Sequence, residues 1–307
     1  MLLSFSICWL ANLLSFSVFQ KAGLTPEVVR KYAPQSHHAK QGTPTMAGAI
    51  FSVIAVMFIM ISSPENWRIA LTILCFMGVG MYDDLTKLMG RRHGISMRAK
   101  FVLISLMSLM LMEISWRSNP GILFHIPLVN ISLVPPHWFY LVFGVFVMNA
   151  TANAMNFTDG IDGLCATQFL ILFLGLYFIY MFGHKEMIGL YGACYLMAGV
   201  LAFLWFNVSP AKLFMGDTGS LVLGAVVALL YIESGWVLLL PLVGLILVAE
   251  VVSVALQIMS FKLTGNRIFK MAPVHHHFEL SGWSTSQIVT RALIISILTL
   301  LIGVSFI

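Results

Sequence analysis

Charge is what this 307-residue sequence has least of: only 9% of its residues are Asp, Glu, Lys or Arg, against 59% hydrophobic. A soluble chain carries about 25% charged residues, so this one cannot cover a globular surface with polar groups. That excludes a cytosolic globular enzyme and a disordered chain. Cysteine is scarce too. Cys8, Cys75, Cys165 and Cys194 lie far apart inside apolar runs with no C-x-x-C pair, which excludes a disulfide-rich secreted module and leaves packing as their role. The remaining class is an all-α polytopic integral membrane protein.

At about 20 apolar residues per crossing, the hydropathy pattern predicts ten transmembrane helices. They fall near 1–20, 46–62, 68–82, 99–115, 138–155, 164–182, 187–206, 219–233, 237–260 and 287–306. The first run has no basic residue before it and Lys21 just after it, opposite to a cleavable signal peptide, so it reads as a retained helix. Alternate loops differ sharply in Lys and Arg, thirteen against three. The basic loops belong in the cytoplasm, which puts both termini in the periplasm. The +5 net charge is thereby accounted for by topology and implies no nucleic-acid partner. No segment is polar enough for a separate soluble domain and no repeat is visible, so residues 1–307 read as one membrane domain. Between Gly121 and Pro136 two short β-like runs predict a periplasmic hairpin.

The aspartates are unevenly placed. Asp83, Asp84, Asp159, Asp162 and Asp217 all fall at cytoplasmic helix ends, while Glu65, Glu186 and Glu233 fall near the outer face. A single Asp at a helix end is ordinary capping; five of five, interleaved with Asn and Gly, points to a site. Adjacent Asp83 and Asp84 repel unless a cation or shared proton intervenes, and a hard, oxygen-ligated cation such as Mg²⁺, shared with a substrate phosphate, would resolve this. Asn153, Asn156, Asp159 and Asp162 recur at every third position, one face if the segment is helical. Asn207 to Ser220, with Lys212, Phe214 and Asp217, runs into an apolar helix whose N-terminus suits anions or a bridging metal.

A last basic loop holds His275, His276 and His277. Successive side chains diverge, so these suit phosphate contacts or orientation of a carboxylate better than one metal. Lys40, Arg98, Lys100 and Lys212 are candidate phosphate clamps, although the positive-inside bias alone would put most of them there. Glu250 stands inside an apolar helix, where an ionisable group is costly; it either lines a polar groove or bonds a neighbouring helix. An oxygen-rich, basic-fringed site at the bilayer surface suits a reaction between a soluble diphosphate compound and a lipid phosphate, with the lipid tail in a groove between helices.

Five stretches carry a resemblance: Lys40-Gln-Gly-Thr-Pro-Thr-Met-Ala-Gly; Tyr82-Asp-Asp; Asn153 through Leu164; Phe206-Asn through Phe214-Met-Gly-Asp-Thr-Gly-Ser-Leu; and Ala272-Pro-Val-His-His-His-Phe-Glu-Leu-Ser-Gly-Trp. In this order, across residues 40 to 283, the chain resembles the polyprenyl-phosphate N-acetylhexosamine-1-phosphate transferases. The histidine stretch resembles the muramoyl branch rather than the GlcNAc-phosphate branch. The resemblance implies ten helices in the bacterial inner membrane and a cytoplasm-facing, Mg²⁺-dependent reaction of peptidoglycan biosynthesis. In it phospho-MurNAc-pentapeptide passes from UDP-MurNAc-pentapeptide to undecaprenyl phosphate, giving lipid I and UMP.

The resemblance makes Asp217 the Mg²⁺ ligand and one of Asp83 and Asp84 the base or nucleophile. It places Asn153, Asn156, Asp159 and Asp162 along the nucleotide and diphosphate site, Phe214 near uracil, Asn207 and His275 at polar catalytic-site positions with His276 and His277 beside them, and Lys40 and Lys100 near the substrate. Homodimerisation stays open. Two rivals remain. A GlcNAc-1-phosphate transferase differs in its sugar nucleotide, and a cation-coupled transporter would keep its acidic residues near the bilayer midplane in paired repeats.

Overall fold

The computed structural model describes residues 1–21, 43–89, 94–127, 129, 131–183 and 188–307; Lys40 lies outside them. The described chain is almost entirely helical: α1 (Leu2–Lys21), α2 (Gly48–Ser62), α3 (Trp67–Leu88), α4 (Met97–Ser118), α5 (His137–Thr158), α6 (Leu164–Phe182), α7 (Ile188–Asn207), α8 (Gly216–Ser234), the short α9 (Leu240–Val243), α10 (Leu245–Thr264), the short α11 (Val274–Glu279) and α12 (Thr285–Val304). Eight described helices are long and apolar enough to cross a membrane; α2 and the Leu2–Leu14 run of α1 are shorter. Each predicted span has a helix at its position.

The centre of the bundle is α8. Every residue from Thr218 to Ile232 is buried, and α3 and α5 are its main neighbours. Lipid tails are as apolar as leucine, so burial alone gives little drive for association within a bilayer, and close packing must supply it. Glycines permit that approach. A Cβ on Gly80 of α3 would run into the Asp217–Thr218 backbone, one on Gly224 into the Thr151–Ala152 backbone of α5, and one on Gly48 into Gly219. The same contacts bring the ends of α2, α3, α5 and α8 within side-chain reach of one another.

Three boundaries differ from the sequence reading, each for a tertiary reason. Helix α3 continues past residue 82 through the paired aspartates to Leu88, because Lys87 reaches back to both of them. Helix α8 starts at Gly216, putting Asp217 in its first turn rather than at its cap. The predicted 237–260 span is broken: a 3₁₀ turn at Val237–Leu239 leads into α9, which carries Pro241, and Gly244 separates α9 from α10. The histidines, read as a loop, lie on α11.

At the opposite end, β1 (Phe124–Ile126) and β2 (Ile131–Leu133) form the antiparallel hairpin that alternation predicted, with Phe124 opposite Leu133 and Ile126 opposite Ile131. The His125 N–H donates to the carbonyl of Gly235 (2.9 Å), the left-handed residue that ends α8. The hairpin is thus tied to the central helix.

Candidate active site: three carboxylates and two lysines

Asp83 and Asp84 stand near the end of α3 and Asp217 at the start of α8. One carboxylate oxygen from each lies within 4.8 Å of the other two. Asp84 has a defined task. Its Oδ2 accepts from the Thr218 N–H (2.9 Å) and hydroxyl (2.7 Å), and its Oδ1 from the Asp217 N–H (3.3 Å). Met215, at the cap position of α8, makes no side-chain bond to the helix. A carboxylate from another helix therefore satisfies the exposed N–H groups and the positive end of the α8 dipole. Gly216, at φ 70°, lets the chain enter this turn, and a Cβ there would strike Asp84 Oδ2.

Asp83 and Asp217 present their oxygens to two ammonium groups. Lys87 Nζ lies 2.8 Å from Asp83 Oδ2, 3.1 Å from Asp217 Oδ2 and 3.4 Å from Asp84 Oδ1. Lys100 Nζ pairs with Asp217 Oδ2 and lies 3.7 Å from Asp83 Oδ2. The far oxygens are held as well: Asp83 Oδ1 accepts from the Ile95 N–H (2.8 Å), and Asp217 Oδ1 from Asn156 Nδ2 (2.7 Å), which also bonds Ser220 Oγ (3.0 Å). Both aspartates of α3 are buried, whereas the Lys87 side chain is 41% exposed. Three carboxylates against two ammonium groups make the cluster formally net negative, and the oxygen-only donor set fits a hard divalent cation.

Sequence reasoning counted Lys87 only as a loop charge. Its spacing, i+4 from Asp83 and i+3 from Asp84, was the available signal. Thr218 and Ser220 were missed as partners of the cluster, and neither carries a local sign of that role.

The Asn153–Asp162 segment does not present one helical face, because α5 ends at Thr158 and residues 159–163 form a turn. Asn156 enters the carboxylate cluster, while Asn153 bonds its own helix at the Asn149 carbonyl (2.8 Å). Asp162 Oδ2 accepts from the Ala211 N–H (3.1 Å). Asn207 accepts from the Gly163 N–H (2.9 Å) and donates to the Leu213 carbonyl (2.8 Å), so these two side chains clamp the turn to the 208–213 loop. Gly163, at φ 79°, starts α6 with no side-chain cap, so neither Thr158 nor Asp159 is the N-cap there. Half-buried Phe214 pairs its backbone with Pro44 and Ala47, which binds the Thr43–Gly48 stretch to the site.

The three histidines diverge, as successive side chains must. His275 Nδ1 lies 3.0 Å from Glu250 Oε2, His276 Nδ1 lies 3.0 Å from Glu279 Oε2, and His277 Nδ1 accepts from the Lys270 N–H (3.2 Å). Burial holds His276 below the ordinary histidine value, against the opposing pull of Glu279. Glu250, unresolved from sequence, belongs to this end of the molecule. Arg98 and Lys212 are exposed and join no ion pair among the described residues. An apolar cavity of about 390 Å³ opens between α5 and the broken α9–α10 segment, lined by Phe146, Ala150, Ala154, Pro241, Leu247 and Val251.

Comparison with known proteins identifies the family. Residues 66–235 match the model of glycosyl transferase family 4. A phospho-N-acetylmuramoyl-pentapeptide-transferase of Caldanaerobacter subterraneus subsp. tengcongensis is 38% identical, over 98% of this chain and 96% of its own. Relatives of the same name from Clostridium perfringens (42% identical; 88% and 86%) and Campylobacter curvus (36%; 94% and 88%) match comparably. With such identity along nearly its whole length, and the carboxylate cluster assembled from the stretches that carry the likeness, the chain belongs to the phospho-N-acetylmuramoyl-pentapeptide-transferase family within glycosyl transferase family 4.

Proposed function

We propose that this protein transfers phospho-MurNAc-pentapeptide from UDP-MurNAc-pentapeptide to undecaprenyl phosphate, releasing UMP and forming lipid I, at the cytoplasmic face of the bacterial inner membrane. The observation that carries the reading is the carboxylate cluster with its two lysines, in a chain of the phospho-N-acetylmuramoyl-pentapeptide-transferase family. A polar site alone would suit many soluble phosphate reactions; an apolar cavity between α5 and the α9–α10 segment adds room for a lipid tail. The basic loops gather at the same end as the site, which supports a cytoplasmic orientation.

Asp217 is the residue suited to hold Mg²⁺, since its Oδ2 atom already faces two cationic groups. Bound there, the ion would neutralise the diphosphate and ease departure of UMP. Asp84 is committed to the α8 N-terminus, so Asp83 is the carboxylate available to take the proton of the acceptor phosphate. The freed lipid oxygen attacks the sugar-linked phosphorus, and the bond between the two phosphates breaks to release UMP. Lys87 and Lys100 are placed to follow the negative charge from carboxylate to phosphate. The 159–163 turn, clamped by Asn207 and Asp162, forms the wall for the nucleotide and sugar.

The test is UMP release by detergent-purified protein supplied with undecaprenyl phosphate and Mg²⁺, comparing UDP-MurNAc-pentapeptide with UDP-GlcNAc. Release with the muramoyl substrate alone, abolished by EDTA, is expected. Release with UDP-GlcNAc alone would assign the protein to the GlcNAc-1-phosphate activity, and no release from folded protein would overturn the transferase reading.

A further inference from the structure

Glu250 is an acidic residue inside α10 with no part in the carboxylate cluster. It is 2% exposed, and the residue it meets, His275, is 1% exposed. An isolated charge at that depth is costly enough that it needs a partner. The contact runs from α10 to α11. Glu250 Oε2 lies 3.0 Å from His275 Nδ1, at ion-pair distance though outside hydrogen-bond geometry, and accepts from the His275 backbone N–H at 3.4 Å. One oxygen thus engages both the ring and the backbone of the same histidine.

The other ring nitrogen faces a different element. His275 Nε2 is buried and has no hydrogen-bond partner among the described residues. It is directed at Gly160, where a Cβ would stand 2.5 Å from it. Gly160 lies in the 159–163 turn, between Asp159 and Asp162. A buried, unpartnered imidazole nitrogen is an unmet polar group. Here it looks into the turn assigned above to the sugar nucleotide.

We infer that Glu250 is a positioning residue: it holds His275 by Nδ1, so that Nε2 stays bare and directed at the bound phosphate-sugar across Gly160. The inference rests on the transferase reading for its substrate, but not for its geometry. A carboxylate beside one imidazole nitrogen keeps the proton on that nitrogen and leaves the other as acceptor. Such contacts are often poorly aligned without substrate and tighten when it binds. His276, whose ring centroid is 4.1 Å from that of His275, is occupied by Glu279 and does not compete for Glu250.

The test uses the full-length protein in detergent. First, ¹⁵N-histidine NMR without substrate, with the His275 signals identified by their loss in H275N, reports which ring nitrogen carries the proton. The wild type is expected to show Nδ1–H with bare Nε2, and E250Q, whose amide can also donate to Nδ1, a shift toward Nε2–H. Second, E250Q should lower kcat for UMP release on the order of 10- to 100-fold, as loss of an orienting carboxylate does elsewhere, with KM for the sugar nucleotide within about threefold; E250D should recover part of kcat and keep the Nδ1–H signature. An unchanged tautomer and kcat in a folded E250Q would overturn the inference. A wild type with the Nδ1–H signature but no UMP release with either sugar nucleotide would remove the transferase reading and leave the Glu250–His275 pair standing.

Discussion

The two ends of the bundle solve the problem of charge near a membrane in opposite ways. At the hairpin end the ion pairs among the described residues are matched. Arg68 Nε lies 3.0 Å from Glu233 Oε1, which also accepts from Ser115 Oγ (2.8 Å), itself 2.9 Å from the Tyr140 hydroxyl. Glu113 is matched by Arg117 (2.6 Å) and His137 (2.8 Å). At the other end three carboxylates share two lysines and a helix N-terminus. Matched charges staple helices together; the unmatched set is formally negative, which a further cation or a shared proton would relieve. The comparison separates a structural network from a site better than counting ion pairs would, since both ends have them.

The largest expected break in that contrast is D217N. It keeps the side chain's size but removes the charge facing Lys87 and Lys100, and should lower Mg²⁺-dependent UMP release by more than about 10²-fold while the thermal midpoint stays close to wild type. The mirror change, E233Q at the hairpin end, should do the reverse, lowering stability by about 1–3 kcal/mol with turnover within twofold. Equal losses of turnover in both variants would erase the distinction.

Packing around α8 gives the next effect. Gly78 and Gly80 are two residues apart on α3, yet a Cβ on Gly78 meets nothing within 4 Å, while one on Gly80 meets the α8 backbone. G80A should destabilise by at least about 1–3 kcal/mol through overpacking, whereas G78A should be neutral or raise stability by up to about 1 kcal/mol through helix propensity. Thermal denaturation in one detergent decides between them. D84N follows: weakening the cap of α8 should cost about 0.5–2 kcal/mol and reduce turnover by misplacing Asp217. Full stability and activity in D84N would show that α8 needs no carboxylate from α3.

The smallest effect is set by His276. Burial lowers its folded value below the unfolded one of about 6.5. The unfolded chain therefore takes up the proton first as pH falls. Its contribution to stability is complete above about pH 6.5 and is lost as pH falls through the lower folded value. The thermal midpoint of wild type should drop more steeply below pH 6.5 than that of H276Q; identical slopes would show that His276 is not buried neutral.

Much of the site was legible in sequence because polar residues stand out in a chain with so few. Asp83, Asp84, Asp217, Asn156 and His275 are conspicuous against apolar helices, and all five occupy the functional end of the bundle. Partners were not legible. Lys87 passed as a topological charge, Thr218 was given no role, and Glu250 was an unplaced acid, because the contact that gives each its role joins elements far apart in sequence: Asp84 to Thr218, Lys87 to Asp217, Glu250 to His275. The three-residue spacing from Asn153 to Asp162 misled because it presumed a helix that ends at Thr158.

The sequence by itself determined that the chain is a helical membrane protein, where its spans lie, which loops are basic and which reaction family it joins, because these follow from hydropathy, composition and contiguous motifs. Only the tertiary structure decided that Asp84 caps a helix while Asp83 and Asp217 face the lysines, that Glu250 answers to His275, and that Asn156 joins the carboxylate cluster. The physical reason is the same throughout. A carboxylate's role depends on which N–H, ammonium or imidazole group stands within about 3 Å of it, and in this protein helix packing brings those groups from elsewhere in the chain.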